Sequence, residues 1–371
     1  MHLLSPVQGR IGLTLLGDWA KNNFMQPPRA PLFWSILLLW LGVPSWSTVA
    51  RLPLLGPRPD FSATPVRLYP AAPANARLGE LVFDRGYRLT SADPSFGGFS
   101  SLIVMGDRFV LLSDGGNIVR FRLDSTGQLH DRNFAELPGG PGTGWEKSDR
   151  DSESMTRDPV SGTVWVGFEN ANAIWAYRPG LRKALRHATP KSMQDWPTNG
   201  GAEAMVRLHD GSFLVLSETG HWGTNISSRN DRAAIRFSGD PTRNRRQGFR
   251  FSYRPPSGFN PTDIAELPDG QLLVLNRRFG LPSGFTAVLT MVDPRAIAPG
   301  KTVQARVVAR FARPVLSDNY EGIAVVREAD GGIGLWIVSD DNQSRLQQSL
   351  LLHFRLDVAT FGARNRVRHL P

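Results

Sequence analysis

The chain has 371 residues, a net charge of +10, an isoelectric point near 10.5 and no cysteine. A chain without cysteine has no disulfide, no thiolate zinc site, no cysteine nucleophile and no lipoprotein anchor. The charge is mostly scattered arginine, densest at Arg243, Arg245, Arg246, Arg250 and Arg254. No nucleic-acid module surrounds that run, so it reads as solvated strand and loop and nucleic acid is not an expected partner.

The first 50 residues point out of the cytoplasm. Pro31 to Val43 is an uncharged apolar run of thirteen, preceded by Arg29 and followed by Thr48-Val49-Ala50. That is short for a membrane span of about 20 residues but suits a secretory h-region. A signal peptide cleaved after Ala50 and an uncleaved signal anchor both stay open, with the chain periplasmic or extracellular in either case. Met25 would start a conventional signal, which makes residues 1–24 an over-extended start. Residues 51–76 are proline-rich and read as a linker, leaving 77–371 as the folded domain.

From there one short unit recurs five times. Its copies begin at Gly98, Asp151, Gly201, Asn260 and Asn319. Each enters an apolar stretch, turns at a Gly- or Asp-containing segment and returns through a second apolar stretch, which is a hairpin pattern. Unit starts lie about 50 to 60 residues apart, and radial repetition of such sheets is an all-β propeller. Five repeats are countable. Leu81 to Thr90 could supply the outer strand that closes the ring, and residues 60–90 with the tail could instead complete a degenerate sixth blade.

The hairpins also place a site. In an antiparallel pair the start of the first strand lies beside the end of the second. The starts carry Ser100, Glu153, Glu203, Thr262 and Glu321, and the ends carry Asp114, Glu169, Glu218, Arg277 and Asp340. With these hairpins innermost, all ten positions open on one mouth of the central channel, where seven carboxylates repel one another. A bound cation, raised carboxyl pKa values, or Arg277 and Arg278 as counter-ions would compensate; a hydrated rim without any ion is the plain alternative. All-oxygen ligands favour a hard divalent cation, calcium first, with Glu153, Glu203, Glu321 and Asp340 as ligands. Arg277 and Arg278 suit an anionic substrate group, and His221 or Asp341 suits proton transfer. No Gly-x-Ser-x-Gly elbow, zinc-protease helix, P-loop or dinucleotide fingerprint occurs.

The carboxyl-terminal motifs resemble a known family. Asp318-Asn319-Tyr320-Glu321-Gly322-Ile323-Ala324, followed by Ser339-Asp340-Asp341-Asn342 and Gln347-Gln348-Ser349-Leu350-Leu351-Leu352, is similar to the DNxEGIA and SDDNxxxxQxxLLL pattern of the phytase-like propeller domain. Phe96-Gly97-Gly98-Phe99-Ser100, Asp151-Ser152-Glu153-Ser154-Met155 and Asn199-Gly200-Gly201-Ala202-Glu203-Ala204 resemble its blade openings, and Pro261-Thr262-Asp263 with Leu272 to Phe279 resembles a fourth. Asn276 stands where that pattern leads one to expect an acid, and Gln343 where it leads one to expect an aromatic residue. The resemblance implies an exported propeller and a metal-assisted hydrolase of phosphoesters or other esters. A non-catalytic ligand- or partner-binding propeller is the second reading and a lactonase of the gluconolactonase type the third.

Overall fold

The structure, a computed structural model, describes residues 52–72, 74–223, 229–243 and 248–357. The apolar run 31–43 and the proposed cleavage point therefore lie outside the described residues. Five antiparallel sheets make up the domain. Blade 1 comprises Phe99–Met105, Arg108–Ser113, Asn117–Leu123 and Leu129–Glu136 from the axis outwards. Blade 2 comprises Ser152–Arg157, Val164–Phe168, Ala173–Tyr177 and Ala184–Ala188. Blade 3 comprises Ala202–Arg207, Phe213–Ser217, Arg232–Phe237 and Gly248–Arg254, with Thr302–Gln304 added in parallel at its edge.

Blade 4 comprises Asn260–Glu266, Leu272–Gly280, Gly284–Val292 and Arg306–Phe311. Blade 5 takes Asn319–Arg327, Ile333–Asp340 and Ser349–Leu356 from the end of the described chain. Its fourth strand, Leu81–Thr90, comes from the beginning and pairs antiparallel with Ser349–Leu356. The ring is thus closed by hydrogen bonds between the two ends of the domain. The innermost strands pack side by side in a complete circuit, blade 5 against blade 1.

Two expectations change here. The segment 60–90 does not begin a sixth blade, because Ser62–Pro65 pairs with Leu81–Thr90 and so thickens blade 5. The stretch read as a linker is for the same reason partly domain: Phe61 and Leu68 are buried in the core. Proline marked that segment as non-helical, but an edge strand tolerates proline as readily as a linker does.

The repeat explains how the core forms. Alternate residues of each strand face opposite sides of the sheet, and both sides of every blade meet a neighbour. Five apolar clusters result, each filling the gap between two adjacent blades. Phe109 and Trp336, 4.8 Å apart in edge-to-face contact, join blade 1 to blade 5. Among the described residues the α-helical content is one turn, Lys147–Arg150, and no helix is long and apolar enough to cross a membrane.

Candidate functional site

One backbone irregularity is repeated in all five blades. The pairing of each innermost strand with the second strand slips by one residue at the mouth end, leaving Ser100, Glu153, Glu203, Thr262 and Glu321 unpaired. A β-bulge re-aims the extra side chain, so these five residues are the ones turned out of the alternation. In blades 1 and 4 the bulge residue ties to the next blade: Ser100 Oγ donates to the Ser152 carbonyl at 2.6 Å and Thr262 Oγ1 to that of Tyr320 at 3.2 Å. In blades 2, 3 and 5 it is glutamate.

The second-strand ends meet these glutamates. Arg277 reaches from blade 4 to Glu321 at 3.0 Å, Glu218 at 3.1 Å and Glu203 at 3.6 Å. Asn319 then bridges, accepting from Arg277 at 3.1 Å and facing Asp340 Oδ2 at 3.5 Å. The Asp-Asn pair before Glu321 is accounted for: Asp318 accepts from the backbone amides of Asn319 and Gln348, which fixes the approach to the bulge. Arg277 Nε is buried without an acceptor among the described residues.

Blade 2 differs. Asp151, Glu153 and Glu169 each offer an oxygen within 4.8 Å of the others, and Glu169 forms a second such group with Glu203 and Glu218. The cation nearby is Lys147, whose ammonium pairs with Asp114 at 2.6 Å. The short helical turn Lys147–Arg150 sets Lys147 and Asp151 on the same side of the mouth, with Asp151 closing the turn in a left-handed conformation, φ 30°. Glu169 Oε1 accepts from the amides of Gly200 and Gly201. Both glycines are needed for that approach, since a Cβ on Gly200 would meet Thr219 Oγ1 at 1.9 Å and one on Gly201 would meet Asn172 Oδ1 at 2.3 Å.

Crowding shows in the acidities. Burial, then the neighbouring Asp151 charge, pushes Glu169 up to about 8, and burial raises Asp151 as well, against the pull of Lys147. Glu153 and Glu203 are held well above the usual range by burial and then by their acidic neighbours. Burial pushes Glu321 to about 8 despite Arg277, and Asp340 to about 7 with Asp114 adding to it. Arg277 and Lys147 rise because carboxylates surround them, against the opposing cost of burial.

The structure therefore brings together Glu153, Glu203, Glu321, Asp340 and Arg277. The other three candidates have different surroundings. Arg278 follows Arg277 on a strand, so its side chain lies on the opposite face, stacked 4.8 Å above Phe259. His221 is exposed in the loop after Ser217, and no described hydrogen bond or ion pair joins it to the carboxylates. The Asp341 carboxylate is taken up by the Gly98 and Gln343 amides and the Ser349 hydroxyl, and fastens blade 5 to blade 1.

Neither departure from the family pattern touches the ring. Asn276 is fully buried between blades 3 and 4, donating to the Val274 and Val288 carbonyls and accepting from Tyr253. Gln343 is an exposed turn residue at φ 49°. Sequence reasoning does not pick out Lys147, which precedes the hairpin repeat, or Asp151, which opens its second copy but lies outside the ten strand-start and strand-end positions; their clustering with Glu146 and Asp149 is the signal available.

Ester-cleaving chemistry and binding functions both fit a mouth lined this way, and the likenesses to solved structures are too distant to decide between them. A Kuenenia stuttgartiensis hydrazine synthase matches at 13% identity and TM-score 0.33, over 66% of this chain and 57% of that one. A hypothetical protein from Leishmania major matches at 10% identity and TM-score 0.38, over 69% and 84%. A Bacteroides fragilis protein provisionally named a 6-phosphogluconolactonase matches at 15% identity and TM-score 0.35, over 82% and 84%. The chain thus spans little more than half of the hydrazine synthase chain. No curated protein matches this sequence. The model of one family, phytase-like, described as esterase-like activity of phytase, matches residues 94–343, and the chain belongs to that family.

Proposed function

We propose that this propeller is a metal-assisted hydrolase of phosphoesters or other esters, acting at the carboxylate-lined mouth. The observation that carries the reading is the pair of carboxylate triplets hinged on Glu169. Their donors are all oxygen, they come from rigid strand ends, and Lys147 alone does not balance Asp151, Glu153, Glu169 and Asp114. That donor set fits a hard cation such as calcium, held by Asp151, Glu153 and Glu169 or by Glu169, Glu203 and Glu218. When bound there, such a cation supplies Lewis-acid polarisation of the scissile ester.

The chain's own groups do the rest. Arg277 anchors Glu203, Glu218 and Glu321 and, with its side chain 25% exposed, supplies positive charge for an anionic group. Glu321 and Asp340, at about 8 and about 7, are the carboxyls suited to hold or release a proton near neutral pH. They join His221 and Asp341 as candidates for proton transfer.

The purified protein would be assayed for bound metal and screened with phosphoesters and carboxyesters, with and without calcium and a chelator. Ester cleavage that needs the cation and disappears in Glu169→Gln supports the reading. Cleavage indifferent to both overturns it. Ion binding without any cleavage favours the second reading, a non-catalytic binding propeller. The lactonase reading stays third, tested by the same screen with a sugar lactone. We also propose export directed by residues 1–50; amino-terminal sequencing of the mature protein should begin near Arg51, and full-length protein in the cytoplasm would reject it.

A further inference from the structure

A second pocket, of about 330 Å3, opens on the other face of blade 4 from the acidic mouth. It lies between the Pro256–Phe259 connection and the sheet, and two arginines line it, Arg278 and Arg310. Strand register explains the convergence. Arg278 pairs with Thr286, and Arg310 pairs with Val288, two residues further along the same strand. Directly opposed residues share a face, and so do residues two apart, so all four side chains stand on one side of the sheet.

The charge in this pocket is uncompensated. No carboxylate lines it, and among the described residues neither guanidinium takes part in an ion pair. Several arginines elsewhere are held by oxygen acceptors: Arg254 is clamped on Asp231, Arg122 on Asp107 and Arg232 on Asn260. Arg278 is held instead by the Phe259 ring, a contact that orients the guanidinium while leaving its N–H groups open. The hydroxyl of Ser257 adds a donor, the Thr286 hydroxyl donates to the Arg278 carbonyl, and Val288 and Phe259 add an apolar floor.

We propose that this pocket binds a phosphate monoester with an apolar body. Two guanidiniums balance a phosphate dianion, whereas a carboxylate would leave one charge over, and the planar fork matches phosphate oxygens. The volume is in the range of small-molecule sites, about 300–1,000 Å3. The pocket stands apart from Arg277 and the carboxylates by strand alternation, so the inference does not depend on the hydrolase reading.

The test is a phosphorus NMR titration in chelator, which removes any ion at the mouth, using phenyl phosphate and inorganic phosphate as probes. Wild type should bind phenyl phosphate saturably and more tightly than phosphate. The double change Arg278→Gln with Arg310→Gln should weaken binding by about tenfold or more. Glu169→Gln should bind as wild type does, and a melting curve for each variant shows that it is folded. Absence of saturable binding in wild type, equal affinity for the two probes, or binding that survives the double change overturns the proposal.

Discussion

Blades 2 and 4 meet the same mouth with opposite charge. Blade 4 has a threonine at its bulge and carries Arg277 on its second strand, where it serves as counter-ion to glutamates of blades 3 and 5. Blade 2 has Glu153 at the bulge, Glu169 at the strand end and Asp151 before them, with Lys147 already paired to Asp114. Both backbones are the same hairpin with the same bulge. Position in the repeat decides where a side chain goes, and identity at that position decides whether the local charge is closed or left open to an ion.

Removing the blade 4 cation is the strongest way to break this contrast. Arg277→Gln should destabilise the protein by about 3 kcal/mol, the low end for a buried pair losing one partner, because Arg277 keeps some solvent. Denaturant melts should show the loss largest at alkaline pH and smaller at pH 5, where the glutamates take up protons. An unchanged midpoint would mean that the carboxyls are neutral without it.

Titration sharpens the same contrast. Glu169 and Glu321 lie near 8 in the fold but near about 4.3 when unfolded. A raised folded value contributes stability that is complete below the unfolded pKa and lost as pH rises through the folded one. The chelated protein should therefore melt at lower temperature at pH 8 than at pH 5. Calcium should flatten the fall by replacing protons on the blade 2 side. A melting temperature independent of pH in chelator would contradict the crowding.

The face of blade 4 turned away from the mouth offers a control. Asn276→Asp sets a carboxylate against the Val274 and Val288 carbonyls and should cost about 2 kcal/mol. Calcium affinity should stay as in wild type; a rise would bring residue 276 into the ring. In blade 2, Glu169→Gln should lower calcium affinity by about tenfold, roughly 1.4 kcal/mol by calorimetry. Gln343→Ser, at an exposed turn, should stay within about 0.5 kcal/mol of wild type.

Much of this was legible in the sequence. Five hairpins follow from apolar runs around Gly and Asp turns, because that pattern has one cheap local solution. The strand-end places of Glu153, Glu203, Glu321 and Asp340 follow from the hairpin pattern, since each residue's position in its repeat is set within its own strand pair. So does the closing role of Leu81–Thr90, whose length and alternation fit a fourth strand.

Other features needed the assembled ring. The bulge at each strand entry is a mismatch between two strands, invisible in either one, and it sends Glu153 and Glu321 to the mouth. That Asp341 closes the ring, that Asn276 serves the gap between blades 3 and 4, and that Lys147 reaches Asp114 are contacts between segments far apart in the chain or in different blades. Arg277 and Arg278 show the division most plainly. The sequence makes them one basic pair, and the pleat of a strand turns them to opposite faces of a blade, one to carboxylates and one to an open pocket. Local pattern decides what each segment becomes, while charge balance depends on which segments face each other, and only the closed ring determines that.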